Sequence, residues 1–257
     1  MCLLIFAHQV APDFPLLIAA NRDEFHARRT AVSDFWIEHP DLLAGKDLQQ
    51  GGTWMGITRK GRFAAVTNYR DPARTAPAPR SRGELPLAYL TGTEDPQSYL
   101  HQLASRAQEY AGFNLLVGDT QSLWYFTNSE ERAPQRLAPG IYGLSNARLD
   151  TPWPKVTAGK ARLQALLDAG DISHEALATV TASRQLADRL ALDALHQVNG
   201  MERILSAQFI VTAAYGTRSS TTMWTDARGL ASWQERSFDA EGTLHTEQRM
   251  EFQLESA

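Results

Sequence analysis

The first third of the chain is a series of short apolar runs broken by turn residues. Cys2 to Ala7, Leu16 to Ala20, Thr53 to Thr58 and Phe63 to Tyr69 have the length and the branched or aromatic content of strands. The turn Arg59-Lys60-Gly61-Arg62 joins the last two as a hairpin. Apolar residues then recur at helical spacing over Glu84 to Leu90 and Pro96 to Tyr110, the second opening with Asp95 as N-cap and Pro96 at the first helical position. Phe113 to Val117 and Leu123 to Phe126 predict another hairpin across Asp119-Thr120, and Ile141 to Leu144 a further strand. Long helical patterns cover Pro154 to Leu167 and Glu175 to Leu195. Gln208 to Ala213, Thr221 to Trp224, Leu230 to Arg236 and Leu244 to Phe252 return to strands.

Runs of strands separated by runs of helices, without strict βα alternation, predict an α+β fold of mainly antiparallel sheets layered with helices. No repeat, coiled coil or long linker interrupts the pattern, so a single domain over residues 1–257 is expected. The proline-rich stretch from Asp71 to Arg80 is too poor in apolar residues to pack and reads as an exposed loop. Its place directly after Asn68-Tyr69 suggests a lid over whatever those residues serve.

Composition narrows the function classes. A chain of 257 residues with 43% hydrophobic content can bury a sizeable core. A net charge of −4 and a pI near 6.0 create no field that recruits nucleic acid. Arginine outnumbers lysine 21 to 4, which suits bidentate recognition of carboxylates or phosphates, although solvated surface positions account for most of the excess. One cysteine cannot form an internal disulfide, so a reducing compartment, by default the cytoplasm, is expected. The apolar segments are too short to span a bilayer, and no transmembrane segment or signal peptide is predicted. Seven histidines without HExxH or paired spacing argue against a zinc site, and no cofactor is required. Covalent haem is excluded for want of CxxCH, whereas non-covalent haem needs only one axial ligand, for which His26 is a candidate.

The sole cysteine, Cys2, follows Met1 directly and opens the first apolar run. Removal of Met1 puts a thiol and a free α-amine on one residue, a nucleophile with its own base. The alternative is a small hydrophobe in a strand. Asn21-Arg22-Asp23-Glu24-Phe25 follows the second apolar run, and adjacent strands bring their ends together, which puts this box near Cys2. Gly51-Gly52-Thr53-Trp54 introduces a strand whose glycines allow close approach to a ligand, with Trp54 either a binding platform or core. Thr67-Asn68-Tyr69 and Gly143-Leu144-Ser145-Asn146 end two strands with amide and backbone donors of the kind that form an oxyanion hole.

Together with Met1-Cys2-Leu3-Leu4-Ile5 and Tyr215-Gly216-Thr217-Arg218, these motifs resemble the NRDE family, which includes the transport-and-Golgi-organisation proteins, from residue 1 to about 250. That family is similar in turn to N-terminal-nucleophile hydrolases of the penicillin V acylase and bile-salt hydrolase branch. The resemblance implies a four-layer αββα sandwich and a cysteine hydrolase of amide or thioester bonds. In that reading Cys2 attacks, Asp23 or Glu24 orients its amine, and the Tyr69 N–H and the Asn146 amide hold the oxyanion. Asn21, Arg22, Glu24, Trp54, Asn68 and Arg218 line the substrate site. A gap-free alignment puts Asn21 and Glu24 where the hydrolase branch has arginine and aspartate. Sliding by one residue restores Arg22 and reverses which side chains face the site. The family equally implies a carrier for haem or acyl-CoA on the same fold, without hydrolysis. The expected partner is a small molecule: an amide or thioester, haem, or acyl-CoA. Oligomeric state is left open.

Overall fold

A computed structural model describes residues 2–70, 78–188, 192 and 200–255. Contacts divide the chain into two compact units, one built from residues 1–27, 139–145 and 149–251, the other from 28–138, 146–148 and 252–257.

In the first unit a six-stranded sheet has the order β10-β1-β2-β11-β12-β13, with β1 at Cys2–Ala11, β2 at Phe14–Phe25, β10 at Gly140–Leu144, β11 at Tyr215–Thr225, β12 at Leu230–Phe238 and β13 at Leu244–Gln253. Neighbours from β10 to β12 run antiparallel. Leu3, Ile5, Leu17 and Ala19 on one face and Leu4, Phe6 and Ile18 on the other are buried, so these two strands owe their stability to apolar burial on both faces. Helix α3 (Pro154–Ala169) packs on β1 and β10 and stops at Gly170, whose left-handed φ of +66° lets its N–H reach the Leu166 and Leu167 carbonyls. A short helix α4 (His174–Ala178) lies on β2 and β11, followed by one 3₁₀ turn at Thr179–Thr181; α5 spans Gly200–Leu205.

The second unit carries a seven-stranded antiparallel sheet, β3 to β9 in sequence order: Thr30–Phe35, Leu42–Asp47, Met55–Thr58, Phe63–Asn68, Phe113–Gly118, Leu123–Thr127 and Gln135–Arg136. Helix α1 (Glu84–Thr91) covers β5 to β7 and α2 (Pro96–Ala104) covers β8. As its sequence suggests, α2 is capped by Asp95, which accepts the Ser98 N–H at 2.9 Å. A core of Leu85, Tyr89, Leu100, Leu103, Phe113 and Leu115 fills the space between helices and sheet.

The α+β class and the mainly antiparallel sheets agree with the pattern read from sequence. Three local expectations are corrected. Strand β2 does not end at Ala20, because β11 pairs along all of it, including Asp23, Glu24 and Phe25 against Thr217, Gly216 and Tyr215. The charged box is therefore part of a strand. The helix expected over Glu175 to Leu195 is interrupted: it stops at Ala178 and residues 182–188 are irregular, while Leu192 is again helical; the rest of 189–195 lies outside the described residues. Gln208 to Ala213 is no strand, since the Ser183 carbonyl takes the N–H groups of Gln208 and Phe209 at 3.1 and 2.9 Å, leaving one bridge from Val211 to Gly216. The strands β3 and β4 were not expected. The loop reading of 71–80 lies largely outside the described residues. No described helix is long and apolar enough to cross a membrane.

Gly45, on β4, shows how the second unit depends on a missing side chain. A Cβ there would stand 2.2 Å from the Trp54 ring. Gly45→Ala is expected to lower stability by about 1–3 kcal/mol through overpacking, measured as a shift in the urea midpoint; an unchanged midpoint would show that the indole can move aside.

Candidate functional site

Strand register settles which part of the charged box faces Cys2. Cys2 pairs with Arg22 and Leu3 with Asn21. Directly opposed residues of an antiparallel pair point to the same face, so Cys2 and Arg22 share one face of the sheet. Asn21 points to the other, where its amide donates to the Thr181 and Gln208 carbonyls at 2.8 and 2.9 Å and its Oδ1 accepts from the Ser220 hydroxyl at 2.6 Å. The register that restores Arg22 is the one the fold adopts. Asn21 ties β2 to the segments beneath it rather than facing the cysteine.

Cys2 is half-buried, and its carbonyl accepts from the Ser145 hydroxyl at 3.1 Å. Burial pushes the thiol above its ordinary pKa; the Asp23 and Glu24 charges add to this, and Arg22 opposes it. Arg22 is 6% exposed and Asp23 1%. The Asp23 carboxyl is itself raised by burial, while Lys155, Arg22 and a hydrogen bond from the Thr217 hydroxyl at 2.7 Å pull the other way. That hydroxyl also accepts the Ile210 N–H at 2.9 Å, so Thr217 is held from two sides. Tyr215 donates its hydroxyl to the Asp23 carbonyl at 3.0 Å, and burial keeps that phenol protonated. Glu24 accepts the Phe25 N–H at 2.9 Å. Arg218 donates to the Phe25 and His26 carbonyls at 3.1 and 3.0 Å, which places it as a brace on the end of β2 instead of the substrate-binding group expected.

Lys155 is the residue sequence reading missed. It sits in the first turn of α3, 3% exposed, with Nζ donating to the Leu205 carbonyl at 2.8 Å. Burial lowers its pKa, and the nearby Asp23 and Cys2 partly restore it. The only signal in the sequence was a lysine one residue after a helix-starting proline, which normally marks a solvated first turn.

The remaining candidates lie in the second unit. The Asn146 amide donates to the Asn68 carbonyl at 2.8 Å, and its own carbonyl accepts the Arg70 N–H at 2.8 Å. Asn114 fixes the next residue by donating to the Ala147 carbonyl at 2.9 Å. The Tyr69 N–H, expected as an oxyanion donor, is already engaged by the Gly112 carbonyl at 2.9 Å. That expectation is corrected, since a donor held in this way must break one bond to make another. Trp54 is half-buried, packed on the apolar core and against Gly45.

The His26 Nε2 lies 3.1 Å from the Thr212 carbonyl, and both nitrogens of buried His174 are bonded to hydroxyls. Among the described residues no three His, Cys, Asp or Glu side chains converge as a metal site.

Fold and site together define a two-unit α+β protein whose first strand carries a cysteine beside buried ionisable groups. The chain belongs to the Transport and Golgi organisation 2 family, whose pattern matches residues 1–240. It is 37% identical to the Homo sapiens Transport and Golgi organization protein 2 homolog and 35% to the Bos taurus one, each over 100% of both chains. Membership agrees with the resemblance carried by the motifs. Among solved structures it is similar to the Cys2→Ala form of conjugated bile acid hydrolase from Clostridium perfringens, at TM-score 0.49 and 12% identity over 99% of this chain and 92% of the other.

Proposed function

We propose that this protein is a cysteine-dependent hydrolase of amide or thioester acyl groups. The observation that carries the reading is the pairing of Cys2 with Arg22 on one face of the sheet, with the buried Asp23 next along β2 and its charge felt at Cys2. A thiol whose pKa is raised needs a proton acceptor before it can attack. Removal of the preceding residue supplies one as the α-amine of Cys2, and the Asp23 carboxylate orients and charges that amine. Sulfur then bonds the acyl carbon as the C–N or C–S bond breaks, the amine returns its proton to the leaving group, and water releases the acid from the acyl-cysteine.

A small panel of acyl anilides and acyl thioesters tests this directly, read against Cys2→Ala and the intact mass of the purified protein. Loss of Met1 together with turnover that disappears in the variant is the expected result. Turnover unaffected by the substitution would remove Cys2 from the chemistry. The raised thiol favours one alternative, a carrier that binds an acyl-CoA or haem without cleaving it. Binding of either that persists in Cys2→Ala, with no turnover in the wild type, would establish the carrier instead.

A further inference from the structure

Lys155 differs from the other three lysines of the chain. Lys46 pairs with Glu38 at 2.6 Å, Lys160 pairs with Asp150 at 2.8 Å, and Lys60 is exposed. Lys155 is buried, and among the described residues its one hydrogen-bond acceptor is the Leu205 carbonyl. A charged amine out of water and without a carboxylate in contact is costly, so burial favours its neutral, nucleophilic form.

The residue also lines a cavity of about 340 Å³, with Pro154, Ala158, Leu186, Ser206 and Gln208 among the walls. That is the lower end of the range for small-molecule sites. Three polar wall residues are satisfied within the protein. Gln208 donates to the Lys155 carbonyl at 3.0 Å and accepts the Ser183 N–H at 3.2 Å. The Ser206 hydroxyl donates to the Arg203 carbonyl at 2.6 Å and accepts the Ala187 N–H at 2.8 Å. The Ser183 hydroxyl accepts the Gln185 N–H at 3.2 Å. Gln185 and Asp188 complete the polar part of the wall, and the amine, with its one hydrogen bond and the Trp153 ring centroid 5.5 Å away, keeps donors to spare.

We propose that this cavity is a covalent site for a small aldehyde or ketone, which Lys155 captures as an imine. The nitrogen lone pair attacks the carbonyl carbon, and the carbonyl oxygen leaves as water with both protons of the amine. A C=N bond replaces the C=O bond, with no change of oxidation state.

Propanal with sodium cyanoborohydride reads this out, since reduction fixes the imine as N-propyl-lysine. Peptide mapping at pH 7 is expected to find Lys155 modified several-fold faster than Lys46, Lys60 or Lys160, because burial favours its neutral amine. The same preference is expected in Cys2→Ala, which separates this site from acyl hydrolysis: either can fail alone. Lys155→Arg keeps a cation and is expected to lose the fast modification while retaining the wild-type circular dichroism. Should that variant fail to fold, wild type in urea serves in its place, and the preference must vanish on unfolding. Modification of Lys155 no faster than the surface lysines in the folded protein, or a preference that survives unfolding, overturns the proposal.

Discussion

Replacing Asp23 by Asn is expected to speed alkylation of Cys2 while slowing acyl turnover by at least about 100-fold, the usual scale for loss of a proton-transfer group. The two effects have opposite signs because Asp23 acts on two atoms of the same residue. Its charge raises the thiol pKa against the pull of Arg22, so an uncharged side chain leaves more thiolate at a given pH above neutrality. Turnover moves the other way, because the carboxylate that orients the α-amine is gone. The substitution is nearly isosteric, and the Asn oxygen can still accept from the Thr217 hydroxyl, so the strand pairing at Thr217 and Asp23 should persist. Iodoacetamide rates at pH 8.5, followed by intact mass, measure the first effect, and hydrolysis of the same acyl substrates measures the second. A parallel fall in both rates would mean that Asp23 merely supports the fold around Cys2.

Much of this arrangement was legible because it is local. The apolar runs that became β1, β2, β5 to β8, β10, β12 and β13, and the Asp95-Pro96 start of α2, depend on neighbours in sequence. Long-range register was not legible. Cys2 faces Arg22 only because the β1–β2 pairing falls as it does, and a slip of one residue would have put Asn21 there. Strands β3 and β4 were missed since Asp34, Gly45 and Lys46 break the alternation; Gly45 is there to admit the Trp54 ring, a reason invisible in the residues around it. Lys155 is buried beneath a carbonyl 50 positions later in the chain. The Tyr69 N–H has the right chemistry for an oxyanion donor, and only the position of Gly112 shows that it is engaged. Residue types therefore named the candidates, and partners distant in sequence decided which of them can act.

Stability of the first unit is expected to fall by up to about 3 kcal/mol as pH drops from 6.5 to 4, at roughly 1.4 kcal/mol per pKa unit, because of His174. The ring is 1% exposed and stacks on Trp224 with centroids 4.1 Å apart. Ser232 donates its hydroxyl proton to Glu251 at 3.0 Å, so it must accept from the His174 Nε2 at 2.9 Å; Nδ1 is then the acceptor of the Thr222 hydroxyl at 2.7 Å. The network thus fixes the neutral Nε2–H tautomer. Burial, aided by the Arg249 charge, pushes the pKa to about 4 from an ordinary value of 6.5. A native state that binds fewer protons than the unfolded chain loses stability as pH falls through this window, and regains it above 6.5. Protonation at Nδ1 also forces the Thr222 hydroxyl to turn away, which leaves a buried donor to be satisfied elsewhere. Urea denaturation of wild type and His174→Gln at several pH values isolates the contribution from that of the carboxylates. The variant should be less stable at pH 7 and show a flatter decline between 6.5 and 4; equal slopes in the two proteins would show that His174 takes up its proton in the folded state as readily as in the unfolded one.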